Sequence, residues 1–260
     1  MSALEEEIHF DDDEPRGPKR DRPAFSLVYE DRRIIVFDKA SGVSTIPERF
    51  EKGGSLKELA EEKHGRLWTV HRIDKGTSGL VIFGRDAEAH KSLNDQFEAR
   101  QTGKIYAAVV EGEMVKDEMQ VDIPLASDPA KPGRMRPSAR GKESLTVLRV
   151  RERYRGFTYI EAEPLTGRTH QIRVHCKAVG LPLLVDAMYG NHTEFLLSAI
   201  KRKYKDYGRE ERPLVDRLTL HAERLTVQHP GTGESVTFEA PLPRDLRALV
   251  TQLRKARGYA

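Results

Sequence analysis

One carboxylate is marked by its surroundings. Asp74 lies in Thr69-Val70-His71-Arg72-Ile73-Asp74-Lys75-Gly76-Thr77-Ser78-Gly79, between two cations and ahead of small residues. The apolar run Leu80 to Phe83 follows and reads as a buried strand. A carboxylate in a Gly/Ser/Thr loop beside a core strand is held rigidly and stays open to a ligand. There it can act as a nucleophile or a general base. The same residues also suit an ordinary surface ion pair of Asp74 with Arg72 or Lys75, and this stretch alone leaves both readings open. His170 and His175 are five residues apart and lack a third ligand at a familiar spacing, so no metal site is expected. Neither a Ser/His/Asp set nor a phosphate-cradling Gly loop rises above chance.

The elements that must position these groups can be read in order. Leu27 to Tyr29 and Ile34 to Phe37 are expected strands around a turn at 30–33. Ser55-Leu56-Lys57-Glu58 is a capping box that opens a helix through Lys63, with Gly65 as its stop. Asp86 caps a helix from Ala87 to about Gln101, with Ala89, Leu93 and Phe97 on one face. Lys104 to Gly112 alternates as a strand, with Tyr106 on the face opposite Ile105 and Ala107. Taken alone, Tyr106 reads as a half-buried strand aromatic. Leu145 to Val150 and Phe157 to Ala162 read as paired strands around a turn at 154–156. Thr169 is expected to cap a helix through Val179, with Gly180 and Pro182 just beyond. A helix from Glu194 to about Lys205 and a last one from Asp245 to Arg257 complete the pattern, with strands from Arg217 onward.

Composition bounds the class. The 260 residues are 38% hydrophobic and 33% charged, which suits a globular protein with a wetted surface. Net charge is only +3, so a nucleic-acid site must come from local clustering of the 44 Lys and Arg. The single Cys176 excludes an internal disulfide and a Cys-rich zinc site, and fits a cytoplasmic location. No apolar run reaches the length of a membrane span, and the N-terminus has no apolar signal region. Residues 1–23 combine Glu5 to Glu7 and Asp11 to Glu14 with prolines and basic residues, and are expected to be a disordered tail.

His71-Arg72-Ile73-Asp74-Lys75-Gly76-Thr77-Ser78-Gly79-Leu80 resembles the catalytic signature of the RluA-type RNA pseudouridine synthases. Further blocks resemble that family in the same order. Asp38-Lys39-Ala40-Ser41-Gly42 is similar to a KPAG-like turn, with Ala40-Ser41 in place of Pro-Ala. Lys104 to Gly112 is similar to K-x-Y-x-A-x-V-x-G. Thr166-Gly167-Arg168-Thr169-His170-Gln171-Ile172-Arg173-Val174-His175 is similar to TGRTHQIRVH. Gly180 to Gly190 is similar to GHPIxGDxxYG, with Leu181 replacing His and Val185 replacing Gly. The likeness covers roughly residues 25–250.

That resemblance implies an α+β fold with a mixed, mainly antiparallel central sheet flanked by helices. It implies one catalytic domain over 24–260, with an insertion at 191–212 and no separate N-terminal RNA-binding domain. The implied activity is isomerisation of uridines in structured rRNA or tRNA by a monomer, without cofactor, metal or membrane. Asp74 takes the catalytic position, Arg173 its charge partner through an expected bidentate bond, and Tyr106 a place against the target base. Arg72 is expected to fill the gap left by a flipped nucleotide, and Leu183 to wall the flipped base. Arg168 is counted with the substrate-binding residues. Lys131, Arg134, Arg136 and Arg140, in a long loop over 127–142, are expected to follow the phosphate backbone. A catalytically silent RNA-binding or RNA-folding protein on the same scaffold is the alternative.

Overall fold

The structure is a computed structural model that describes residues 23–48, 54–201, 204–205, 208 and 210–259. The expected tail lies outside the described residues apart from Pro23. Ten strands form one sheet. In chain order they begin with β1 (Phe25–Glu30), β2 (Ile34–Lys39), β3 (Trp68–Thr69), β4 (Ser78–Gly84), β5 (Gly103–Glu111) and β6 (Glu118–Asp122). A separate hairpin follows, β7 (Leu125–Ser127) with β8 (Met135–Pro137). The sheet resumes with β9 (Leu145–Tyr154), β10 (Phe157–Pro164), β11 (Leu220–Gln228) and β12 (Ser235–Glu239). Its spatial order is β1-β2-β4-β11-β5-β10-β9-β6, with β3 on β4 and β12 on β11. Every pairing is antiparallel except that of β11 with β4. This agrees with the mixed, mainly antiparallel α+β expectation.

The parallel pairing is the seam between the sheet's two halves. Gly79 is opposite Ala222 there, with φ +113. A Cβ on Gly79 would lie 2.2 Å from the Ala222 carbonyl oxygen, so only glycine lets the strands meet. Alternation then sorts the side chains. Ile35 and Phe37 pack with Leu56 and Ala60 of α1 (Leu56–His64), while Ile34 and Val36 pack with Leu93 of α2 (Ala87–Glu98). In the other half, Ala108 and Val110 pack on Ile172 and Cys176 of α3 (Gln171–Ala178), while Ala107 and Val109 pack toward Leu246 and Leu249 of α4 (Arg244–Arg257). Helices therefore cover both faces.

Several expected boundaries shift. The Ser55 capping box is present, with Glu58 closing it. α2 stops at Glu98 because Arg100 turns left-handed at φ +57. α3 is entered through His170, also left-handed at φ +55, and not through a Thr169 cap. Its first turn is closed by Gln171, whose side-chain oxygen accepts from the Arg168 N–H. No helix spans 194–205 among the described residues. A single 3-10 turn, Leu197–Ala199, stands there. Phe195 exchanges backbone hydrogen bonds with Leu214 and Val215, which removes it from any helix, and its ring joins the α4 core. Lys201 and Lys205 are described, while Arg202 and Lys203 of that basic run lie outside the described residues. The 127–142 loop is partly built into the β7–β8 hairpin.

Candidate active site

The loop that carries Asp74 is tied from behind. Lys39, wholly buried, donates to the carbonyls of Ala40, Val43 and Lys75 at 2.9, 2.6 and 3.2 Å. Thr45 Oγ1 donates to the Ile73 carbonyl at 2.9 Å, and Ser41 Oγ donates to that of Gly76 at 2.7 Å. The carbonyls on both sides of Asp74 are thus fixed, and Ser41 itself supplies a tether in the turn that lacks the proline. His71 Nε2 accepts the Ile82 N–H at 3.1 Å, while its ring stacks on Phe97 at 4.7 Å. Burial, together with the charge of Lys104, pushes His71 down to about 3, so it is a neutral structural acceptor.

Arg173, on the first turn of α3, reaches two carboxylates. Its Nη1 donates to Asp74 Oδ2 at 3.1 Å. The expected two-pronged bond goes instead to Asp186, through Nε at 2.7 Å and Nη2 at 2.8 Å. Asp186 Oδ1 also accepts the N–H groups of Met188 and Tyr189 at 2.9 and 3.0 Å. Burial works against charge on Asp186, but the Arg173 bonds and these amides outweigh it and hold the carboxyl below its ordinary range. Gly190 closes this turn, where a Cβ would lie 2.8 Å from the Leu183 carbonyl oxygen. Val185 fits nearby without positive φ. Tyr189 braces the group further. Its ring lies under Arg173 at 4.9 Å, and its hydroxyl meets His170 Nδ1 at 2.9 Å. His170 Nε2 is 3.9 Å from Asp74.

Asp74 opens into a cleft of about 590 Å³, a size suited to a small-molecule or nucleotide group. Ile172 and Leu220 supply apolar wall, and Tyr106 supplies an aromatic one. Burial first, and the charge of Asp74 second, push the Tyr106 phenol well above its ordinary value. It therefore stays protonated near neutral pH. A fixed, part-exposed carboxylate beside a part-apolar wall can attack or deprotonate a ligand whose ring lies against the tyrosine.

The fold brings Asp74, Tyr106, Arg173, Arg72 and Arg168 onto one cleft. Arg72 stands at its rim, with 56% of its side chain exposed and Glu48 at 3.8 Å. Arg168 Nε donates to the Glu143 carbonyl at 3.0 Å. Leu183 is not a wall of the cleft. It bridges Val110, is 1% exposed and faces the core, and Leu220 of β11 takes the wall position. Lys131, Arg136 and Arg140 are exposed and do not line the cleft. Arg134 is anchored, with its guanidinium over the Tyr189 ring at 5.1 Å and bonded to the Met188 carbonyl. Asp186, Tyr189 and Leu220 are not marked by the sequence pattern, and His170 enters it only as a rejected metal ligand. The spacing of Asp186 and Tyr189 in the last GHPIxGDxxYG-like block was their available signal.

Comparisons with known proteins bear on what this cleft serves. The family described as RNA pseudouridylate synthase matches residues 33–178. Ribosomal large subunit pseudouridine synthase D of Neisseria meningitidis serogroup B is 36% identical over 244 residues, covering 90% of this chain and 63% of that protein. The uncharacterized RNA pseudouridine synthase YlyB of Bacillus subtilis is 36% identical over 238 residues, covering 88% and 73%. Ribosomal large subunit pseudouridine synthase C of Escherichia coli is 35% identical over 242 residues, covering 89% and 70%. Among solved structures, human RNA pseudouridylate synthase domain containing 4 superposes with a TM-score of 0.68 at 24% identity, covering 88% of this chain and 92% of that one. Human RNA pseudouridylate synthase domain containing 1 gives 0.64 at 27%, covering 88% and 94%. The chain spans a little under two thirds of the Neisseria protein and more of the others. With the matched span containing Asp74, Tyr106 and Arg173, the chain belongs to the RNA pseudouridylate synthase family, in its RluA-type branch.

Proposed function

We propose that the protein converts specific uridines of large-subunit ribosomal RNA to pseudouridine. The observation that carries this reading is Asp74, held by a single Arg173 bond and 21% exposed in a cleft walled by Tyr106. The names of the relatives favour ribosomal RNA over the tRNA alternative. One chain carries all three groups, so a monomer suffices for the chemistry.

The reaction breaks the uracil N1–C1′ bond, turns the base and forms a C5–C1′ bond. Asp74 either attacks C1′ or removes the C2′ proton, and both routes ease departure of the uracil anion. Arg173 balances charge on the carboxylate as the base departs and returns. Tyr106 supports the ring. Because its phenol is protonated, it can take the C5 proton only while passing its own proton to a neighbouring acceptor. A uridine within folded RNA must leave its stack, and the exposed side chain of Arg72 at the cleft rim is the group proposed to enter the gap.

The test is a map of pseudouridine in total RNA by carbodiimide-dependent reverse-transcription stops. Cells carrying wild type, Asp74→Ala or no protein are compared. Stops in large-subunit ribosomal RNA found with wild type alone support the proposal. Identical maps, with the protein still bound to RNA, would replace it by the silent binding protein.

A further inference from the structure

Lys104 is half-buried in the cleft and, among the described residues, has no anionic partner. It precedes Tyr106 by two residues on β5, so strand alternation sends both side chains to the same side, and both line the cleft. Its Nζ lies 6.0 Å from the centroid of the Phe97 ring, which His71 backs by stacking. Among the described residues, no ion pair or hydrogen bond of its ammonium is found. Burial alone acts on it, pushing the amine down from its ordinary value with no carboxylate to hold it up. Glu98 also lines this end of the cleft but makes no ion pair with it. Nearby cations are already engaged, Arg173 with Asp74 and Asp186, and Arg100 with Glu143.

A half-buried cation without a counter-charge is costly unless a ligand supplies one. The uracil ring is neutral, and the only anions that RNA carries are its phosphates. A lysine recognises phosphate as a point charge. We propose that Lys104, above the Phe97 ring, is a binding subsite for a backbone phosphate adjoining the flipped uridine. This rests on the RNA-modifying reading given above and adds a contact to it. The contact places the sugar so that C1′ and C2′ face Asp74.

The test uses Lys104→Met, which keeps the length of the stem, with Lys104→Gln as the second variant should Met fold poorly. Binding to an unmodified in vitro transcript of large-subunit ribosomal RNA is measured over a salt series, and conversion is measured in parallel. Affinity should fall about 10-fold, as for one charged hydrogen bond. The slope of log affinity against log salt should lessen by about 0.7 to 0.9. KM should rise while kcat changes by only a few-fold, and Lys104→Arg should restore both affinity and slope. An unchanged slope overturns the phosphate assignment, whether affinity is kept or lost. Conversion by wild type with no Lys104 effect on the slope sinks the subsite alone. A Lys104 effect without conversion sinks the isomerase reading alone, and absence of any wild-type RNA binding sinks both.

Discussion

Asp74 and Asp186 share one guanidinium and are treated in opposite ways. Asp186 is 2% exposed and holds Arg173 with two bonds, while two backbone amides occupy its remaining capacity. Asp74 receives one longer bond, and 21% of its side chain faces the cleft. A saturated carboxylate is a poor reactant and a good anchor. An under-coordinated one keeps lone pairs for a substrate. On this geometry Asp186 aims Arg173 at Asp74, with Tyr189 stacked beneath the guanidinium and His170 alongside.

The sharpest break in this contrast is Asp74→Asn. It should lower conversion by at least about 10³-fold, as expected for loss of a nucleophile or base. Folding should change by less than about 1 kcal/mol, because a part-exposed pair contributes little. Asp186→Asn should do the reverse in rank. Removing one side of a buried pair costs about 3–5 kcal/mol of stability, read by urea unfolding, and activity falls as Arg173 loses its aim. Equal stability losses for the two variants would erase the distinction. Tyr106→Phe keeps the ring and loses the proton relay, so kcat should drop about 10²-fold with RNA affinity retained. Charge reversal at Arg136 and Arg140, both exposed, should weaken RNA binding and lessen its salt dependence with kcat untouched. An unchanged slope would take the hairpin out of the interface.

A further effect is in pH. Asp186 sits below its ordinary carboxyl value when folded. Its contribution is therefore present above the unfolded value of about 3.9 and lost as pH falls through the folded one. His71 runs from 6.5 unfolded to about 3 folded. It must be neutral in the fold, so its contribution is full above pH 6.5 and declines as acid approaches pH 3. Urea midpoints for wild type should fall across that window, and His71→Gln should flatten the fall. A parallel curve would show that His71 is not the titrating group.

Much of this was legible along the chain. Asp74, Tyr106 and Arg173 stand in local patterns of loop, strand and helix, and alternation on β5 put Tyr106 on the right face. What local pattern could not show was pairing across distance. The two-pronged bond of Arg173 depends on how the 180–190 turn folds back over α3, and helix periodicity says nothing of that. Leu183 failed as a cleft wall because its backbone bridges Val110 and turns its side chain into the core. The wall came instead from Leu220, across the β11–β5 register. The 194–205 stretch has helical composition, yet Phe195 is claimed by Leu214 and Val215 through long-range backbone bonds. Arg134 stands in a loop expected to follow a phosphate backbone, and only the tertiary fold sets it on Tyr189.

The most direct measurement is single-turnover conversion of the mapped ribosomal RNA site by Asp74→Asn, with RNA affinity and urea unfolding recorded on the same preparation. The expected result is a folded protein that binds the RNA about as tightly as wild type and forms no detectable pseudouridine. Conversion near the wild-type rate would contradict it, and the reacting group would then have to be sought elsewhere in the cleft.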